Sequence, residues 1–144
     1  MMAASLSGHD GCIRFLLEKG AGVNKAESNG FTSLMNACQN GHEQVALVLL
    51  DAKADPNQAR PDGLTALMHA AINGHEKCAV VLLEAGASNF LMALINAALR
   101  GHIRCARVLL KQKANGFWRS LSEIVRWLLA PLLLAFAVAM YFKA

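Results

Sequence analysis

Three histidines in this chain are each followed by a cysteine three residues later. Residues three apart share one helix face, and two such pairs together would supply the Cys2His2 ligands of a zinc site. The alternative is that the histidines belong to a recurrent turn and the cysteines fill buried packing positions. Neighbouring helices pack ~8–10 Å apart, whereas zinc ligands lie ~2.0–2.3 Å from the metal, so we predict no metal site. The pairs are His9 and Cys12, His75 and Cys78, and His102 and Cys105.

The histidines recur because the chain contains internal repeats. The segment NGFTSLMNACQNGH at 29–42 corresponds almost position by position to DGLTALMHAAINGH at 62–75. The dipeptide Gly-His occurs four times, at intervals of 33, 33 and 27 residues. The spacing predicts four units, at about 1–23, 24–56, 57–89 and 90–115.

Each unit is predicted to contain a turn, a helix, a second turn and a second helix. In the second unit Asn29-Gly30 is typical of a tight turn, and Thr32 follows it as a helix N-cap. A short helix of small residues is predicted at 33–40, and the next helix carries apolar residues on one side. Neither helix could bury its apolar side alone, so the units must stack. The third unit repeats these signals at Asp62, Gly63 and Thr65.

These units resemble the ankyrin-repeat family over about residues 1–115. The family pattern G-x-T-P-L-H-x-A-A-x-x-G-H, then V-x-x-L-L-x-x-G-A-D-x-N, is similar to GFTSLMNACQNGH…VALVLLDAKADPN and GLTALMHAAINGH…CAVVLLEAGASN. Ser33 and Ala66 stand where the family has proline, and Met35 and Met68 where it has histidine. The resemblance implies an all-α solenoid of helix-turn-helix units with short hairpin loops, which binds proteins.

Two departures from the family pattern change what we expect. Residues 1–4 align with 34–37, so the first unit begins inside its first helix, without the polar outer face that normally ends a solenoid. We expect that end to be covered by a partner or to reflect a truncated form. Six residues are missing between Ser88 and Phe90, so we expect the hairpin of the fourth unit to be absent or collapsed.

The other polar residues of the repeats form no catalytic pattern. We find no nucleophile elbow, phosphate loop or paired carboxylates on one helix face, so we predict neither an enzyme nor a cofactor. His69 aligns with an alanine and two asparagines, which predicts a surface histidine. Cys38 aligns with alanines, which predicts a small core residue, and we expect no disulfides because linked Cα atoms must approach within ~7 Å.

The resemblance also implies a protein-binding surface, because ankyrin repeats usually grip partners with hairpin tips and with the residues that end each first helix. Four of the aligned residues would form an exposed apolar row, namely Phe31, Leu64, Ile72 and Leu99. The alternative is that single exposed apolar residues are ordinary surface. The full set of candidate contact residues is Phe31, Gln39, Asn40, Leu64, Ile72, Asn73, Leu99 and Arg100.

The repeat pattern ends at Phe117, and sixteen residues from Trp127 to Phe142 carry no charge. A helix that is apolar all round is buried deeply or lies in lipid. These residues would span ~24 Å, and with Ile124 to Arg126 about 28 Å, against a hydrocarbon layer of ~30 Å. We therefore predict one transmembrane helix within 117–144. Its lipid-facing residues are predicted to be Trp127, Leu128, Leu129, Leu132, Leu133, Leu134, Phe136, Val138, Met140, Tyr141 and Phe142.

The charges around this segment predict its orientation. Four cations precede the segment (Lys111, Lys113, Arg119 and Arg126) and Lys143 alone follows it, which places the repeats on the cytosolic or equivalent side.

Split at Gly116, the first part has 11 Lys/Arg against 9 Asp/Glu and the second has 3 against 1, so we expect no nucleic-acid partner. The N-terminus lacks the cationic start and apolar core of a signal peptide, and we expect reduced thiols.

Together these patterns predict an ankyrin-repeat domain at 1–116 and a membrane helix within 117–144. The predicted function is a tail-anchored, non-enzymatic adaptor whose partners are proteins, including membrane proteins, and membrane lipid, with no small-molecule substrate. An accessory subunit of a larger membrane complex is one form of this role. The alternative is a soluble scaffold or inhibitor whose last hydrophobic helix caps the stack or packs on a partner.

Overall fold

The computed structural model describes residues 1–115, and residues 116–144 lie outside that description. The seven bounded helices are α1 Met2–Leu6, α2 Asp10–Glu18, α3 Ser33–Gln39, α4 Glu43–Asp51, α5 Ala66–Ile72, α6 Glu76–Glu84 and α7 Phe90–Leu99. An eighth helix, α8, covers 103–115, up to the last described residue. Between residues 1 and 115 there is no strand, only a single β-bridge between Ala59 and Thr65.

The helices form two layers. In one layer α1, α3, α5 and α7 pack side by side in chain order, and in the other α2 packs on α4 and α4 on α6. Within a unit the two helices also pack on each other, as α3 does on α4. This arrangement confirms the all-α solenoid, since adjacent units bury apolar sides against one another.

The core runs through the units at repeated positions. Leu34 and Leu67 are buried at the start of the first helices, and Leu49, Leu82 and Leu109 are buried in the second helices. Small residues such as Ala37, Ala70 and Ala97 are completely buried where the first helices meet, which lets those helices approach closely. Each buried leucine contributes about 2 kcal/mol of hydrophobic stabilisation.

Hairpins form at the predicted turns of the second and third units. In the second unit Glu27 N–H donates to the Phe31 carbonyl at 2.9 Å, and in the third Arg60 N–H donates to the Leu64 carbonyl at 2.9 Å. The fourth unit has no such hairpin, because α6 ends at Glu84 and α7 already begins at Phe90. The absence expected from the shortened interval is confirmed.

Both predicted threonines stand at helix N-caps, and one of them makes a side-chain cap hydrogen bond. The Thr32 hydroxyl accepts a hydrogen bond from Met35 N–H at 3.2 Å, which satisfies a free donor at the start of α3. Thr65 stands at the predicted N-cap of α5 with the same extended backbone, but its side chain makes no cap hydrogen bond. The backbone of Thr65 is instead bridged to Ala59, and its buried hydroxyl has no partner in the described part of the chain.

No helix among residues 1–115 is long and apolar enough to cross a membrane. The predicted transmembrane helix and all of its predicted lipid-facing residues lie beyond the described residues. By its contacts, Met1–Leu110 is one compact unit. The predicted domain boundary at 116 stays a prediction.

Candidate partner-binding surface

The Gly-His turns join consecutive units to each other. The Nε2 atom of His42 lies 2.8 Å from the Leu6 carbonyl, that of His75 lies 3.0 Å from the Gln39 carbonyl, and that of His102 lies 2.9 Å from the Ile72 carbonyl. A carbonyl can only accept, so each Nε2 carries a proton and donates it to the preceding unit. These histidines therefore stabilise the stack.

The glycines of the same turns make room for the histidine rings. A Cβ atom on Gly41 would lie 2.6 Å from Nδ1 of His75, and one on Gly8 would lie 2.7 Å from Nδ1 of His42. Each ring thus stacks directly on the glycine of the unit before it. Across residues 1–115, no three His, Cys, Asp or Glu side chains come together as a metal site would require.

Three of the four thiols are buried in the stack, namely Cys38, Cys78 and Cys105, while Cys12 is exposed. The prediction of a buried packing residue is confirmed for Cys78 and Cys105 and is wrong for Cys12. Cys12 aligns with the buried Val45, but in the described structure no earlier unit covers that side of α2. Packing against the preceding unit, and not the helix itself, buries this position.

Two of the three buried thiols, Cys38 and Cys105, are held in their protonated form, whereas the hydrogen bond with Cys38 lowers the pKa of Cys78. A hydrogen bond with Cys78, together with burial, raises the pKa of Cys38 well above its ordinary value. Burial also raises the pKa of Cys105 to about 11, and the nearby Glu76 carboxylate adds to this effect. Because the thiolate is the nucleophile and the metal ligand, Cys38 and Cys105 are poorly suited to either role.

His69 is buried, with 5% of its surface exposed, so the predicted surface histidine is wrong. It lies in α5, which is packed between α3 and α7, and its ring centroid is 5.0 Å from that of Phe31. Burial lowers the pKa of His69, and the positive charge of Arg60 lowers it further. The ring is therefore neutral at pH 7, and its Nε2 atom has no partner in the described part of the chain.

Acidification should destabilise the fold through His69. In the unfolded chain this histidine titrates near pH 6.5, whereas the folded state resists protonation, so the unfolded state binds more protons below that pH. The contribution of His69 to stability is full above about pH 6.5 and declines as the pH falls toward the lower pKa of the folded state. We expect His69→Asn to lose less stability than the wild type between neutral and mildly acidic pH. Urea unfolding over that range measures the difference.

The exposed His9 provides the matched control for this experiment. His9→Asn should retain the acid sensitivity of the wild type, because it removes a histidine that the fold does not bury. Equal acid sensitivity in His69→Asn and His9→Asn would rule out His69 as the source.

Phe31, in the hairpin of the second unit, contacts the side chains of Arg60 and His69. The guanidinium carbon of Arg60 lies 4.2 Å from the Phe31 ring centroid, and Nη2 of Arg60 lies 3.0 Å from Oδ2 of Asp62. His69 contacts the same ring. Phe31 is consequently half-buried, and Leu64, at the equivalent position of the third unit, is half-buried too. Sequence reasoning missed Arg60 and His69 because no local pattern indicates contacts between hairpins of different units.

The candidate residues at the helix ends lie in a row, since α3, α5 and α7 are neighbours. Ile72 is half-buried, whereas Leu99 is 79% exposed. Asn40 and Asn73 are exposed, and their amide groups donate to the Asn36 and His69 carbonyls at 2.8 and 2.9 Å. The predicted apolar row is thus unevenly exposed, and it projects most at the fourth unit. Gln39 is half-buried, and Arg100 is exposed.

Comparison with known families agrees with this geometry. The family model described as ankyrin repeats in three copies matches residues 1–60 and 53–116. No curated protein matched the chain. The two matches together cover every described unit, including the one that lacks a hairpin. The chain belongs to the ankyrin-repeat family.

Proposed function

We propose that this protein is a non-enzymatic adaptor that binds a protein partner through its repeats and is held at a membrane by its C-terminal segment. Ankyrin repeats are protein–protein interaction domains, and this chain has them over residues 1–116. The observation that carries the membrane part is the uncharged run of sixteen residues, Trp127 to Phe142, which follows the repeats after residues 117–126. A run of this kind partitions into lipid or into a large core.

The partner surface is proposed to be the row of helix ends together with the hairpin tips. Asn40, Asn73 and Arg100 are exposed at equivalent positions of three units, so one partner could contact all three. Leu99 adds an exposed apolar side chain at one end of this row. Exposed apolar groups beside polar ones are typical of surfaces that bind proteins.

The flanking residues support a membrane position for the segment. Trp127 and Tyr141 stand at its two ends, where interfacial aromatic residues are common. Lys111, Lys113 and Arg119 precede it and favour the cytosolic or equivalent side for the repeats. Small residues in the segment would allow close packing against other transmembrane helices, as in an accessory subunit of a larger complex.

The alternative is a soluble scaffold whose hydrophobic segment caps the repeats. One observation favours it, which is that large apolar side chains of α7 are exposed, Leu91 by 64% and Met92 by 51%. A helix packed on them would remove apolar surface from water. If the segment is an anchor, the protein stays in the membrane under conditions that remove peripheral proteins. If the segment caps the repeats, the protein is released.

Two charges placed in the middle of the segment distinguish these possibilities. Leu133→Arg combined with Leu134→Arg should release the full-length protein from membranes, because each arginine at the bilayer centre costs about 2.5–3.5 kcal/mol. The matched control, Leu133→Ile with Leu134→Ile, should stay in the membrane pellet after alkaline carbonate extraction. Membranes that contain the full-length protein can also be solubilised in mild detergent and run on a native gel, which separates the free chain from a larger assembly.

Each function makes a different prediction for a chain that ends at Gly116. If the segment is an anchor, the shortened chain should remain folded and soluble. If the wild type washes off membranes in carbonate and the shortened chain unfolds, the anchor is wrong and the capping function is supported. Circular dichroism of the shortened chain reports its folding.

A further inference from the structure

The outer side of the fourth unit is uncovered in the described structure. In the third unit, Met68 is 6% exposed and Thr65 is 1% exposed, because α7 packs on that side of α5. The residues 27 positions later, Ile95 and Met92, are 42% and 51% exposed. Positions that one unit buries under its neighbour are thus open in the last one.

The large apolar side chains exposed on the fourth unit recur along one side of each helix, with Arg107 on the same side of α8. In α7 they lie at Leu91, Ile95 and Leu99, with a spacing of four, and in α8 at Ile103, Arg107 and Leu110, with spacings of four and three. Such spacings place side chains on one helix face. We call this surface the end face, and define its apolar part as Leu91, Met92, Ile95, Leu99, Ile103 and Leu110.

Positive charge is concentrated in the part of the chain that forms the end face. Residues 1–84 contain six Lys/Arg and nine Asp/Glu, whereas residues 85–115 contain five Lys/Arg and no Asp/Glu. Arg100, Arg104 and Arg107 are exposed on the fourth unit. None of these three arginines takes part in the ion pairs Arg14–Asp10, Arg60–Asp62 and Lys77–Glu43. The end face therefore combines exposed apolar side chains with Arg107, and Arg100 and Arg104 are exposed at its edge, next to Leu99 and Ile103 in the chain.

We infer that the end face docks on an anionic lipid surface. The apolar side chains would enter the boundary between headgroups and acyl chains, and the arginines would contact lipid phosphate and carboxylate groups. This combination of large apolar side chains and cations is typical of helices that lie in the membrane interface. The repeat domain would then contact the bilayer by a surface of its own, in addition to the C-terminal segment.

Other occupants fit the charge less well. The run from Trp127 to Phe142 has no charged residue that could pair with the arginines. In a symmetric dimer through the end face, Arg107 of each copy would lie within the contact and Arg100 and Arg104 at its edge, and like charges repel. An acidic helix of another protein would complement the charge, and the choice of lipid over such a helix rests on the proposed function, which places the repeats beside a leaflet.

A probe on the end face of the full-length chain tests the inference. All four cysteines lie within residues 1–115 and only Cys12 is exposed, so Leu99→Cys in a Cys12→Ser background provides one reactive thiol for an environment-sensitive dye. The probe should become shielded from an aqueous quencher on vesicles of equal parts phosphatidylcholine and phosphatidylserine. It should stay accessible on vesicles of phosphatidylcholine alone, and added salt should weaken the shielding.

Removing the three arginines should shift docking by about 100-fold toward the undocked state, since each cation near an anionic leaflet contributes roughly fivefold. The variant is Arg100→Gln with Arg104→Gln and Arg107→Gln. The matched control removes three exposed lysines from other units, Lys19→Gln with Lys25→Gln and Lys53→Gln, and should dock as the wild type does. Circular dichroism of both variants should show unchanged helix content.

Every other outcome overturns the inference. A probe that is shielded without vesicles indicates that the C-terminal segment or a second copy covers the end face, and dependence on protein concentration identifies the second copy. A probe that no vesicle shields, or equal losses in the two triple variants, also contradicts lipid docking. Flotation on phosphatidylcholine vesicles tests the anchor separately. Docking that persists on phosphatidylserine without such flotation would reject the anchor and retain the end face.

Discussion

Replacing Gly41 with alanine should destabilise the protein by about 3 kcal/mol. Gly41 has a φ of +75°, and a residue with a side chain pays ~1–2 kcal/mol in that left-handed conformation. The added Cβ would also lie 2.6 Å from Nδ1 of His75, so the ring must move. Moving the ring weakens its hydrogen bond to the Gln39 carbonyl, which contributes about 1 kcal/mol. Urea unfolding followed by circular dichroism measures the loss.

Gly63 separates the backbone effect from the steric one. It has a similar φ of +82°, but a Cβ there would meet nothing within 4 Å. Gly63→Ala should therefore cost only ~1–2 kcal/mol, the backbone contribution. In a His75→Ala background, Gly41→Ala should lose its excess cost and match Gly63→Ala. If the two alanine variants are equally destabilised in the wild-type background, stacking of His75 on Gly41 does not explain the effect.

Leu67→Ala should cost about 3 kcal/mol. Leu67 is completely buried in α5, which packs between α3 and α7. Truncating a buried leucine loses its transfer free energy and leaves a cavity, for a total of ~2–5 kcal/mol. This is a large part of the ~5–15 kcal/mol that stabilises a typical domain. The free energy of unfolding in urea measures the change.

Leu99→Ala is the matched control, because Leu99 has the same side chain but is 79% exposed. Its cost should stay within about 0.5 kcal/mol. Comparable losses in the two variants would mean that the core is not where the described structure places it. Because repeats can unfold in stages, the transition should be followed by two probes, helix content and thiol accessibility of the buried Cys38.

Much of the fold could be predicted from spacing alone. The 33-residue interval defined the second and third units, and the shortened interval correctly indicated that the fourth unit lacks its hairpin. The Gly-His dipeptides were interpreted as turns, which is confirmed, but His42, His75 and His102 also bond to carbonyls of the preceding unit. That second role requires the units to be stacked at a specific separation, which no local pattern contains.

The candidate surface was less predictable than the fold. Alignment placed Phe31 and Leu64 in an exposed apolar row, and the described structure leaves both half-buried. Phe31 is covered by Arg60 from the next unit, a residue about one repeat later in the chain. Leu99 is much more exposed than Ile72, the equivalent residue of the third unit, because no further described unit follows the fourth.

By itself, the sequence determined the period, the two helices of each unit, the positions of the breaks between them and the family. These properties follow from short-range spacing of apolar, glycine and turn residues. Only the tertiary structure decided that His69 is buried, that Cys12 is exposed and that the end face is open. The physical reason is that burial in a solenoid depends on whether a neighbouring unit covers a position, and equivalent residues in different units do not share the same neighbours.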